Sequence, residues 1–268
     1  MTNRKPPERD TAPQANLLPY QDLINNVTVE DVFGWLAKGW HDFKAGGLVS
    51  LGYGLVFVVA AIVLTVGLYL AGFEYLIAPF LEAFLFIGPA LTVGFYAISR
   101  ELEQGKKMTL AGALCTWCNN TKALLTFGLA LVIFLLIWMR LAVMIFALSF
   151  PYTPMEIQPI INAVFFSGEG YVFLVLGSAV GAVMATLVFM GSVVALPMIL
   201  DRGVGFGQAL VVSFVTVITN FRAMMAWAII IVIVTGAGLL AGFIGLAISL
   251  PLIGHASWHA YRGLVKPE

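Results

Sequence analysis

Long uninterrupted apolar runs constrain this chain of 268 residues more than any other feature. An α-helix needs about 20 apolar residues to cross roughly 30 Å of hydrocarbon. Inside lipid, backbone polar groups must be paired within helices or closed barrels. Four runs are long enough for one helix each, namely residues 48–72, 75–98, 123–150 and 171–200. The sequence therefore predicts an all-α membrane-spanning protein.

A fifth apolar run covers residues 223–261 and is too long for one crossing. At 1.5 Å per residue it would make a helix of about 60 Å, twice the hydrocarbon thickness. We therefore expect a hairpin of two helices, 224–235 and 239–261. Gly236, Gly238 and Gly242 are expected to supply the turn. The count is then six crossings in a single bundle.

The basic residues predict the orientation, because Lys and Arg accumulate in cytoplasmic loops. All fourteen Lys and Arg residues except Arg140 fall on one side of the predicted crossings. The opposite loops carry Glu74, Glu156 and Glu169, and the spacing of isoleucines in the loop 149–170 predicts a short surface helix there. Both termini are thus expected in the cytoplasm. A formal net charge of zero gives no indication of a nucleic-acid partner.

A threefold internal repeat organises the chain. Each odd-numbered crossing follows an amphipathic stretch that ends in a basic residue and alanine, at residues 44–45, 122–123 and 222–223. Pro89 and Pro251 each lie eleven residues before an arginine that closes an even-numbered crossing. We predict units at about 28–100, 106–202 and 206–262, each an interfacial amphipathic helix followed by two crossings. Residues 22–265 form one membrane domain after a disordered tail, 1–21.

The first amphipathic stretch illustrates the expected faces. On a helical wheel, Val32, Leu36, Trp40 and Phe43 form an apolar arc, whereas residues 31, 38, 41 and 42 face away from it. These four polar residues, among them His41 and Asp42, are expected in water.

The two cysteines, Cys115 and Cys118, form a C-x-x-C in the second amphipathic stretch. The repeat aligns them with apolar residues of the other units, so we interpret them as packing residues. An alternative is a metal or redox site made of Cys115, Cys118, His255 and His259, because the two histidines share a helix face and complete a tetrahedral ligand set. We favour an interfacial belt for the histidines, with Trp258 and Tyr261 among the lipid headgroups.

Two charged residues lie inside predicted crossings. Glu82 and Arg140 are both in the outer half of the membrane, and charges at such depth are costly. We predict an intramembrane ion pair between them that fixes helix packing. The alternative is a substrate or proton site.

Enzyme signatures are absent from the sequence. It contains no phosphate-binding glycine-rich loop with its lysine, no H-E-x-x-H and no G-x-S-x-G. All three histidines lie at the predicted cytoplasmic edge, where they are not suited to axial haem ligation. We therefore expect no catalytic residues and no cofactor.

Three segments resemble a known family: "WLAKGWHDFKAGGLVSLGYGLVF", "GPALTVGFYAISRELEQGKKMTL" and "LPLIGHASWHAYRGLV". They are similar to an uncharacterised family of bacterial integral membrane proteins, domain of unknown function 2189, over about residues 22–265. Members are sometimes labelled cytochrome c oxidase subunit I-like, but the histidines that such a subunit requires have no counterparts here. The resemblance implies a six-helix inner-membrane protein and assigns no activity.

These observations lead to one functional expectation and two alternatives. We expect a non-enzymatic membrane protein whose partners are the lipid bilayer and another membrane protein or a second copy of the chain, as an accessory to a membrane complex. The first alternative is a small-solute transporter or channel with Glu82 and Arg140 in its path. The second is metal or redox sensing through Cys115, Cys118, His255 and His259.

Overall fold

The computed structural model describes residues 18–73, 76–119, 121–154 and 156–267. Within these ranges the chain is helical and has no strand, and an isolated bridge joins Ile24 to Val265. The predicted all-α class is confirmed. Most of the predicted disordered tail, residues 1–17, lies outside the described residues. A short 3-10 helix, Gln21–Leu23, begins the ordered part.

Twelve α-helices follow in the described part of the chain. They are α1 Val29–Leu70, α2 Ile77–Leu91, α3 Val93–Glu103, α4 Leu110–Leu114, α5 Thr116–Asn119, α6 Thr121–Ser149, α7 Ile157–Phe166, α8 Gly168–Ser192, α9 Ala195–Arg202, α10 Phe206–Thr219, α11 Phe221–Leu240 and α12 Leu246–Leu264. A short helix is present after α6, as the sequence predicts, and is α7.

Helix α1 is bent at Gly47. Its 42 residues would reach about 63 Å if straight, twice the hydrocarbon thickness. It begins at a cap in which the backbone N–H of Thr28 donates to Asp31 Oδ2 at 2.8 Å. Gly47 has φ 51° and ψ −124°, a conformation that glycine tolerates. The bend separates the amphipathic half of α1 from the apolar half that begins at residue 48, where the sequence places the first crossing.

Four helical segments are long and apolar enough to cross a membrane: Val29–Leu70, Lys122–Ser149, Gly168–Arg202 and Phe221–Leu240. The other two predicted crossings correspond to shorter helices. The run 75–98 is divided at Thr92 between α2 and α3, three residues after the helix-breaking Pro89. The last crossing corresponds to α12, which has 19 residues. The length and composition of the helices therefore support four membrane spans, and the count of six crossings remains a prediction.

The run 223–261 is a hairpin of α11 and α12, but its turn lies later than the sequence suggests. The turn is at residues 241–245, where Gly242 and Phe243 have positive φ. Gly236 and Gly238 are inside α11. A Cβ on Gly238 would lie 2.3 Å from Ser249 Oγ, so this glycine permits close packing of α11 against α12.

The longest interface in the bundle joins α1 to α12. Small residues allow it: a Cβ on Gly39 would lie 2.6 Å from the backbone nitrogen of Ala256, and one on Gly54 would lie 3.0 Å from the carbonyl oxygen of Ala247. Helices α3 and α11 flank this pair, while α2 and α8 pack on α6. The amphipathic half of α1 is thereby held against the C-terminal half of α12.

Two predicted surfaces are wrong, because tertiary packing selects a different face of each helix. In the amphipathic half of α1 the buried residues are Val32, Trp35, Gly39 and Asp42, whereas Trp40 is 43% exposed. The aqueous position expected for Asp42 is therefore incorrect. On α12, His255, Trp258 and Tyr261 are buried in the protein, so they do not form an interfacial belt.

Candidate functional site

Polar side chains from three helices meet in the interior of the bundle. Asp42 lies before the bend of α1 and Ser50 lies after it, Ser99 is on α3, and His255 is on α12. Ser50, Ser99 and His255 are fully buried, and Asp42 is 7% exposed. The close approach of α1 to α12 at Gly39 and Ala256 brings these elements together. We call these four residues the buried polar network.

Hydrogen bonds connect the network in one continuous chain. Ser99 Oγ donates to Asp42 Oδ2 at 2.7 Å and lies 2.8 Å from His255 Nδ1. Because a hydroxyl has a single hydrogen, His255 Nδ1–H must be the donor to Ser99. The other ring nitrogen, Nε2, then accepts from Ser50 Oγ at 2.9 Å. A neutral His255 protonated at Nδ1 therefore satisfies every partner, as burial requires.

A second set of charged residues continues the network towards the surface. His259 Nε2 lies 2.8 Å from Asp42 Oδ2, and its Nδ1 lies 3.9 Å from Glu103. Arg262 connects Glu103 to Asp201, each at 3.4 Å. The Tyr261 hydroxyl donates to Asp201 at 2.8 Å. The first and last thirds of the chain are thereby joined by polar contacts at one end of the molecule.

The Asp42 carboxylate has an unusual set of partners. In the described part of the chain, the only basic side chains within 4 Å of it are histidines: His259 at 2.8 Å and the exposed His41 at 3.5 Å. Burial raises the pKa of the Asp42 carboxyl, but hydrogen bonds from His259 and Ser99 and the electrostatic interaction with His259 lower it more. The net effect is a pKa below the ordinary aspartate value, which favours the ionised carboxylate.

The lowered pKa of Asp42 predicts acid sensitivity. Its folded-state pKa lies below the unfolded value of about 3.9, so ionised Asp42 stabilises the fold above that pH. This stabilisation is lost as the pH falls through the folded-state pKa. We expect the difference in unfolding free energy between the wild type and Asp42→Asn, measured in detergent, to shrink below about pH 4. A difference that stays constant from neutral pH to about pH 3 would contradict this assignment.

Ser50 and His255 also have the separation of a nucleophile and its general base. In a serine hydrolase, however, the nucleophile must reach a substrate carbonyl, with oxyanion donors beside it. Ser50 is 0% exposed and is enclosed by α1 and α12. In this conformation the pair holds helices together and is closed to substrate.

The structure brings together two of the four residues in the alternative metal site. His255 belongs to the buried polar network and His259 contacts Asp42 of that network, but both ring nitrogens of His255 already have serine partners. Cys115 is exposed, and the side chain of Cys118 lies outside the described residues. Among the residues that are described, no group of three or more His, Cys, Asp or Glu is arranged to hold a metal ion. The four-residue metal site stays a prediction.

The predicted Glu82–Arg140 ion pair also stays a prediction, because the Glu82 side chain lies outside the described residues. The helices that carry the two residues do pack together, and the Phe86 ring of α2 lies 5.5 Å from the Trp138 ring of α6. Arg140 is exposed on α6.

Sequence reasoning missed Asp42, Ser50 and Ser99 as members of a site. The available signal for Asp42 was its spacing: with Val32, Trp35 and Gly39 it makes a continuous helical stripe at intervals of three and four residues. Nothing in the sequence distinguished Ser50 and Ser99 from other serines near helix ends.

Comparison with known protein families gives a match over the middle of the chain. Residues 76–201 match the model of the family described as predicted integral membrane protein (DUF2189). The resemblance predicted from the sequence is confirmed for this part of the chain, which is similar to that family of predicted integral membrane proteins. No curated protein and no solved structure matches significantly.

Proposed function

We propose that this integral membrane protein crosses a bacterial inner membrane six times, in three repeated units, and acts without catalysis as an accessory protein that binds lipid or another membrane protein. The contact between Ser99 and Asp42 is the observation that carries the proposed topology. The apolar half of α1, which begins at residue 48 and ends at Leu70, leads away from the Asp42 level for 23 residues, about 35 Å.

The chain must return over that distance before Ser99 can reach Asp42. Helices α2 and α3 provide the return path, because they are the helices between the end of α1 and Ser99. Helix α12 also returns towards Asp42. It follows the turn that ends α11, and its residues His255 and His259 reach the polar groups around Asp42. These two returns support a second and a sixth crossing, although α2, α3 and α12 are short.

Equivalent positions in the first and third units support the repeat. Asp42 and Asn220, each two residues before the basic residue that opens a crossing, are both buried. Asp42 is hydrogen-bonded to His259 of the third unit, and Asn220 donates to the carbonyl oxygen of Asn25, just before the first unit. The arginines that close the even crossings also meet at one end. Arg100 donates to the carbonyl oxygen of Leu200 at 2.7 Å, and Arg202 donates to Tyr261 at 3.0 Å.

The proposed orientation rests on the charged end of the bundle. The bridge between Ile24 and Val265 is at this end, which supports both termini on one side of the membrane. Exposed basic residues are on the same side in the proposed topology: Lys38, Lys44, Lys106, Lys107, Lys122 and Arg222. By the distribution of Lys and Arg this side is cytoplasmic.

The non-enzymatic role rests on the closed polar network, whose hydrogen bonds are satisfied within the protein. Covalent labelling of the wild type by a fluorophosphonate, lost in Ser50→Ala, would contradict it. Solute flux in liposomes that is lost in Arg140→Ala would instead favour the transporter alternative.

Cysteine labelling tests the topology. In a background with Cys115→Ser and Cys118→Ser, we place single cysteines at Lys107 and at Tyr152, which is 96% exposed. Six crossings put Lys107 in the cytoplasm and Tyr152 outside, whereas four crossings invert both positions. We expect a membrane-impermeant maleimide to label Tyr152→Cys in intact cells, and Lys107→Cys only after permeabilisation. The reverse pattern would overturn the six-crossing arrangement.

A further inference from the structure

A large apolar cavity lies between the long helices. It has a volume of about 830 Å³, within the 300–1,000 Å³ that is typical of ligand pockets. Its described lining includes no Asp, Glu, Lys, Arg or His. The hydroxyls of Thr92 and Ser192 already donate to the carbonyl oxygens of Pro89 and Val188. Water would find few partners there, so the cavity suits an apolar occupant.

The cavity is elongated along the helices. Its lining extends from Phe173 to Ser192 on α8 and from Phe221 to Leu239 on α11, roughly 28 Å in each case. This length is close to the hydrocarbon thickness of a bilayer. A long slot of this kind accommodates an extended hydrocarbon chain better than a compact ligand.

One flank of the cavity opens to the outside of the bundle. Ile229, Val232 and Ile233 line it and are also 51%, 70% and 63% exposed. On the opposite wall, α8 meets α10, which also packs against α11. In the proposed membrane arrangement the open flank faces lipid, so a chain can enter sideways from the bilayer.

A basic side chain is placed at the cytoplasmic end of the slot. Arg222 follows the lining residue Phe221 and precedes the lining residues Met224 and Met225. It is exposed, and no acidic partner for it is found in the described part of the chain. A guanidinium there complements a phosphate group at the headgroup level.

We propose that this cavity is a phospholipid site that holds an acyl chain between α8 and α11 and selects an anionic headgroup through Arg222. The inference rests on the proposed membrane arrangement and names the lipid class that the protein binds. It differs from general solvation by lipid because it requires an interior chain position and one specific basic residue.

Trp138 provides a reporter, because its side chain lines the cavity and is 5% exposed, which shields it from bulk lipid. The purified protein is reconstituted in phosphatidylcholine with brominated-chain phosphatidylglycerol or, separately, the same fraction of brominated-chain phosphatidylcholine. The emission of Trp138 is obtained by subtracting the tryptophan fluorescence of Trp138→Phe from that of the wild type. We expect phosphatidylglycerol to quench this emission more strongly. Equal quenching by the two lipids would overturn the headgroup assignment.

Cavity-filling variants test the position of the chain. A Cβ on Gly177 or on Gly236 meets nothing within 4 Å, and both residues line the cavity. Gly177→Leu and Gly236→Leu should therefore fold and lose the quenching. Gly67→Leu on α1 is the matched control, with equally open space and no place in the lining. Unchanged quenching in both cavity variants would show that no lipid acyl chain occupies the cavity.

Charge variants test the headgroup contact. Arg222→Gln should reduce the preference for phosphatidylglycerol about fivefold, whereas Lys44→Gln, at the equivalent repeat position, should leave it unchanged. An equal effect of both variants would indicate only general surface charge. Neither the quenching nor the lipid preference depends on which side of the membrane a residue faces. These experiments can therefore contradict the lipid site while the cysteine labelling supports six crossings. They can equally support the lipid site while the labelling contradicts six crossings.

Discussion

His255→Ala is expected to lower the free energy of unfolding by about 4 kcal/mol. The substitution removes a fully buried imidazole and leaves a cavity. It also leaves the hydroxyl of Ser50 without its acceptor and that of Ser99 without its donor. An unsatisfied buried polar group costs about 1–3 kcal/mol, and truncation of a large core side chain costs a similar amount or more.

The measurement is denaturant unfolding of the purified protein in detergent, with His41→Ala as the control. His41 is 79% exposed on its side chain, and we expect its removal to change stability by less than about 0.5 kcal/mol. His255→Asn retains one donor and one acceptor and should lose less than His255→Ala. If His255→Ala and His41→Ala were equally stable, the buried polar network would contribute nothing to the fold.

Gly39→Ala is expected to lower the free energy of unfolding by about 3 kcal/mol, because a single methyl group forces α1 and α12 apart. Its Cβ would lie 2.6 Å from the backbone nitrogen of Ala256 and 2.7 Å from the Ala256 Cα. Both neighbours are main-chain atoms of a helix, so no side-chain rotation relieves the overlap. Separation of the two helices also pulls Asp42 away from His259, one turn further along each helix.

Gly34→Ala is the matched control on the same helix. A Cβ at Gly34 meets nothing within 4 Å, and alanine has the higher helix propensity. We therefore expect Gly34→Ala to be neutral or to stabilise the protein by up to about 1 kcal/mol. Equal behaviour of the two variants in thermal unfolding would contradict the close contact between α1 and α12.

The two substitutions probe the same interface by different physical means. His255→Ala removes hydrogen bonds between three helices, whereas Gly39→Ala removes the close approach that makes those bonds geometrically available. Because the residues share partners, their effects should not add in a double variant. The polar network and the glycine contact thus act as one unit.

Much of the architecture follows from local sequence. The apolar runs determine the helices of the long spanning segments, and the excess length of residues 223–261 requires a hairpin. The helix α7 is similarly evident from the spacing of its apolar residues. These features depend on hydrophobic length and periodicity, which are properties of a segment and not of its neighbours.

The buried polar network depends on the tertiary structure. Asp42, Ser99 and His255 are separated by at least 57 residues and meet only because α1, α3 and α12 converge. Helical periodicity predicted that the amphipathic half of α1 buries the face with Trp40, whereas the structure buries the face with Asp42. The close contact of Gly39 with Ala256 fixed the rotation and so buried Asp42. Hydrophobicity alone therefore determined that the chain enters a membrane. Helix packing, where small residues and hydrogen-bond partners must match across the interface, decided which polar side chains lie inside.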